Sequence, residues 1–97
     1  MELTDHHKAK IRQTPSNLLG SDSKVFLKTR DLGAGLKEVQ IMVESLRVLE
    51  DKAVVKAQLR ERLSPPMKEF TTKLVLIDPD VTLTEEQKRF EWLALQV

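Results

Sequence analysis

The chain has 97 residues, 16 of them basic and 15 acidic, with 40% hydrophobic and 32% charged content and no cysteine. This composition is too apolar for wholesale disorder and too charged for a membrane protein, and it rules out disulfides, thiol catalysis and thiolate metal sites. A chain of this length makes one small domain, whose stability depends on good packing or on association.

In chain order, residues 1–23 carry few large aliphatics: Leu3, Ile11, Leu18 and Leu19. Thr14-Pro15-Ser16-Asn17 reads as a turn and Gly20-Ser21-Asp22-Ser23 as a loop, so this stretch is expected to be a flexible N-terminal segment ahead of one small domain over 24–97. It lacks the apolar run of a secretion signal, and no apolar run approaches the ~20 residues that span a bilayer. With the absence of cysteine, the expectation is a cytoplasmic or other reducing intracellular location.

Lys24–Leu32 holds the short apolar run Val25-Phe26-Leu27, which suits either a buried strand or a short helix stopped at Gly33. Helix is favoured, because no partner strand stands out. Leu36–Leu63 is the longest stretch free of Gly and Pro and reads as one long helix. At 100° per residue, Leu36, Val39, Met42, Val43, Leu46, Leu49, Ala53, Val54 and Ala57 form one wide face. Ile41, Val48, Val55, Leu59 and Leu63 form a second group, and Val39, Met42, Leu46, Leu49 and Ala53 follow coiled-coil spacing. Such a helix would run about 42 Å, longer than a domain this small is wide, which puts a break near Asp51-Lys52.

Ser64-Pro65 then suits the start of another helix, with Met67, Phe70, Leu74 and Ile77 in one stripe. The rival for Thr71–Ile77 is a buried β-branched strand. Asp78-Pro79-Asp80 is a turn, and Thr84-Glu85-Glu86-Gln87 fits a capping box opening a last helix to about Gln96. The fold expected from these elements is all-α, three to four helices around one long central helix. The alternative is a small α/β fold with strands near 24–29 and 71–77.

Leu74–Thr84, LVLIDPDVTLT, resembles the first motif of haloacid-dehalogenase-type phosphatases, which would make Asp78 the nucleophile and Asp80 the acid/base. Val81 stands where that family has glycine, and only 13 residues follow Thr84, too few for the rest of such an enzyme. As a calcium loop the same stretch places Arg89 where the bidentate Glu belongs. His6-His7 has no further His or Cys to complete a metal site, and Gly33-Ala34-Gly35 lacks the remainder of a nucleotide-binding fingerprint. No residue pair offers a nucleophile with a base, so no enzyme, metal or cofactor is expected.

What remains is binding. The expected function is a small protein–protein interaction module, an adaptor, regulator or assembly factor, forming a homodimer or joining a larger complex through apolar helix faces. The expected contact residues are Ile41, Val48, Val55 and Leu59, which lie off the main stripe. The alternative is a small nucleic-acid-binding regulator using the basic N-terminal third, Lys8, Lys10, Arg12, Lys24, Lys28 and Arg30.

Overall fold

The structure, a computed structural model, describes residues 2–46 and 51–93. Its first element is a helix, α1 (Asp5–Leu19), opened by a capping box in which the His7 N–H donates to Thr4 Oγ1 and the Thr4 N–H donates to His7 Nδ1. The His7 ring also meets Phe70 edge-on, with centroids 5.0 Å apart, which ties the start of α1 to the chain ahead of the third strand. Gly20, at φ 108, ends the helix. A stretch assigned from sequence to the terminal segment thus supplies Ile11 and Leu19 to the core.

Two long strands follow, β1 (Lys24–Gly33) and β2 (Leu36–Glu44), joined as an antiparallel hairpin. Its tip places Ala34 at φ 54 and Gly35 at φ 76, the pair of left-handed residues that a two-residue type I′ turn demands. The register shifts between Asp31 and Gly33, a bulge at the hairpin tip. Helix α2 (Lys52–Leu63) then starts at Asp51, whose side chain accepts from the Val54 N–H. Arg60 and Arg62 sit in its last turn, where they complement the helix dipole. It delivers the chain to β3 (Thr71–Ile77), parallel to β2. After a 3-10 turn at Gln87–Arg89, the short β4 (Glu91–Leu93) pairs with β1 on its other side.

The sheet order is therefore β3-β2-β1-β4. Both helices lie on one face. Ile11 and Leu19 from α1 and Val55, Leu59 and Leu63 from α2 pack on Val25, Leu27, Val39, Ile41, Val43, Leu74 and Leu76. Val55, Leu59 and Leu63 recur every four residues, so one stripe of α2 enters this core, each large aliphatic contributing ~1.5–3 kcal/mol.

This small α/β fold corrects the all-α expectation, along with the helical bundle and the coiled-coil seam that went with it. The strands named as the alternative, near 24–29 and 71–77, are both present. The long central helix is two elements: a strand to Glu44 and a helix from Lys52, separated where the length argument put a break. β2 escapes a periodicity test because it is buried on both sides; Val39, Gln40, Ile41, Met42 and Val43 are all buried in succession, leaving no alternation to read. Ser64 caps the end of α2 and starts no helix, and the expected last helix is the 3-10 turn followed by β4. Its capping box does form, with the Gln87 N–H donating to Thr84 Oγ1 and the Thr84 N–H to Gln87 Oε1.

Candidate protein-binding surface

The strand registers fix what the second face of the sheet presents. Residues paired across strands share a face. One row running from edge to edge is Val75, Met42, Phe26 and Trp92. On one side of it lie Ile77, Glu44 and Lys24; on the other lie Lys73, Gln40 and Lys28, then Thr71, Glu38 and Arg30. Among the described residues no helix packs on this face. Met42 and Ile77 are buried, Phe26 and Val75 half-buried, and Trp92, at the margin, is 57% exposed. Leu36, further along the same face of β2, is 59% exposed.

The polar groups of this face are organised around Glu38. Gln40 Nε2 donates to Glu38 Oε1, and Arg30 Nη2 donates to Oε2 at 3.4 Å. The Gln40 hydrogen bond, then the positive charges of Arg30 and Lys73, hold the Glu38 carboxyl below the usual glutamate range against an opposing desolvation effect. Lys28 extends over the Phe90 ring, 5.9 Å from its centroid. The face thus presents an apolar row with a large aromatic at its exposed end, bordered by charges of both signs.

Two clefts flank the sheet, one at each margin. Beside β1, Lys8, Lys28, Lys37 and Arg89 line a cleft of about 340 Å³ together with Glu2 and Glu91, and Lys37 Nζ sits 3.9 Å from Glu2. Beside β3, a cleft of about 390 Å³ is lined by Leu63, Met67, Phe70 and Leu74, with Arg60 and Lys68 as its charged members.

The residues expected from sequence fall elsewhere. Ile41, Val55 and Leu59 are core residues of this chain, buried between sheet and helices, and Val48 lies outside the described residues. Of the basic set, Lys8 and Lys28 meet at the β1 cleft, Arg30 is engaged with Glu38, and Lys10 and Lys24 stand exposed on separate elements. Arg12 is only 8% exposed, with Nε and Nη1 lacking hydrogen-bond partners, and burial lowers its pKa. His7 is committed to the α1 cap, and Asp78 accepts from the Asp80 N–H in the expected turn. Trp92 and Phe26 were missed as partners because three residues of β4 carry too little alternation to announce a strand. No helix among the described residues is long and apolar enough to cross a membrane. Comparison with protein-family models, with curated proteins and with solved structures finds no match to this chain.

Proposed function

We propose that the protein is a small non-enzymatic interaction module, an adaptor, regulator or assembly factor, that binds a protein partner across the second face of its sheet. The observation that carries this reading is Trp92, more than half exposed at the end of an apolar row that runs through Phe26 and Met42 to Val75. Tryptophan is the residue type most enriched at energetic centres of interfaces, and its burial gives a partner a large apolar anchor. The borders support a protein over a polyanion: Glu38 and Glu44 stand among Lys24, Lys28, Arg30 and Lys73. A second copy of the chain is the simplest partner, and the cysteine-free sequence suits a cytoplasmic setting.

The test uses Trp92 as the only tryptophan in the chain. Light scattering across a concentration series tests self-association, and selection from a peptide-display library tests other partners. Binders are expected to shift Trp92 emission to the blue and to lose at least about tenfold in affinity against Trp92→Ser. Binders that ignore both, or tight salt-sensitive binding of a single-stranded oligonucleotide in their place, would overturn the reading.

A further inference from the structure

A different surface, at the margin of the sheet farthest from Trp92, has its own geometry. β3 is an edge strand: it pairs with β2 along its whole length, and among the described residues no strand pairs with its other side. Its sequence, TTKLVLI, has no proline and no glycine, its register with β2 runs without a bulge, and its one charge is Lys73. Proteins ordinarily blunt such edges, because a row of unpaired backbone N–H and C=O groups is a template for another strand. Here the edge is bordered on the helix side by the cleft that Thr72 and Leu74 help to line. The cleft has an apolar floor of Leu63, Met67, Phe70 and Leu74, and its charged lining is Arg60 and Lys68, with no carboxylate. Glu69, next in sequence to Lys68, is not part of that lining.

We propose that the outer edge of β3 accepts an extended peptide as a fifth strand, with an apolar side chain seated in the adjoining cleft and acidic neighbours meeting Arg60, Lys68 and Lys73. Strand addition supplies affinity through main-chain hydrogen bonds and specificity through pockets for alternate side chains. A side chain opposite Thr72 or Leu74 points to the helix side, into the cleft. The residue next to it points to the second face, beside Lys73 or Val75. The charges select the occupant. A second copy of β3 would bring its own Lys73 toward three cations, whereas an acidic segment complements them. This surface does not depend on Trp92, which sits on the opposite margin.

The probe is a fluorescein-labelled, N-acetylated heptapeptide with a central leucine, glutamates on both sides of it, and valine and threonine at the ends. Its binding is read by polarisation, alongside the same peptide with lysine for glutamate and with alternate backbone amides N-methylated. The acidic peptide is expected to bind and to slow amide exchange at Thr71–Val75. The lysine peptide, the N-methylated peptide and the Arg60→Glu/Lys68→Glu double variant are each expected to weaken binding at least about tenfold. Trp92→Ser is expected to leave it unchanged, which separates this site from the second-face site. Circular dichroism checks that the double variant is folded, and the two altered peptides test the proposal on the unaltered protein. Equal binding of the lysine peptide, tolerance of N-methylation, no binding of the acidic peptide, or a β3-to-β3 dimer by light scattering would each overturn the proposal.

Discussion

Val25 and Phe26 are neighbours in β1, yet their side chains enter different environments. Val25 points to the helices and is fully buried in a core of aliphatic side chains, while Phe26 points to the second face, half-buried beside Trp92. The same division repeats along β2 and β3, because alternate residues of a strand face opposite sides. The helix side is closed by α1 and α2. The second side closes only in part, and beyond its apolar row, toward the hairpin tip, it carries the Glu38–Gln40–Arg30 cluster where the first carries Val39, Ile41 and Val43. One sheet thus has two unlike sides: the helix side holds the fold together, and the second side keeps Trp92 and Leu36 exposed at its margins.

The largest expected effect lies on the helix side. Leu59→Ala empties a fully buried position of α2 and should destabilise the protein by about 2–5 kcal/mol in urea unfolding. Trp92→Ser on the other side should cost under about 1 kcal/mol, since the indole is largely in solvent already. Similar costs for the two substitutions would break the distinction between the faces.

Arg12, on α1, is a buried guanidinium with two unpartnered nitrogens. Replacing it with methionine removes an unsatisfied charge while keeping much of the volume, and should stabilise by about 1–3 kcal/mol in the same assay. A destabilised Arg12→Met would show that the charge has a partner in solution.

At the hairpin tip that joins the strands, Ala34 holds a left-handed conformation that asparagine and glycine adopt more readily. Ala34→Gly or Ala34→Asn should therefore raise stability by about 0.5–1 kcal/mol. The smallest effect concerns pH. Because the folded Glu38 has a lowered pKa, its contribution is fully present above the ordinary value of 4.5 and is lost as pH falls below that toward the folded value. Glu38→Gln should flatten acid unfolding in that window and leave the neutral range nearly parallel to the wild type.

The sequence was most legible where local chemistry decides the structure. The Thr84–Gln87 capping box and the Asp78-Pro79-Asp80 turn both depend on neighbours within a few residues. It was least legible at β2, where Val39 to Val43 are buried in succession and its neighbouring strands, β1 and β3, are fixed only by the tertiary pairing. Ile41 illustrates the consequence. On a helix it falls off the main stripe and suggests a partner; on β2 it is a fully buried core residue. The second face was hidden for a related reason. Phe26, Met42, Val75 and Trp92 come from all four strands, and only the register brings them into one row.

The most direct test of the second face as an open, partner-binding surface is the fluorescence of the single tryptophan. In the isolated protein Trp92 should emit as a solvent-exposed indole and be quenched freely by acrylamide, and a partner selected for binding should shift its emission to the blue and shield it. Emission that is already blue-shifted and protected in the free monomer would contradict the account, because it would mean that the chain itself covers this face.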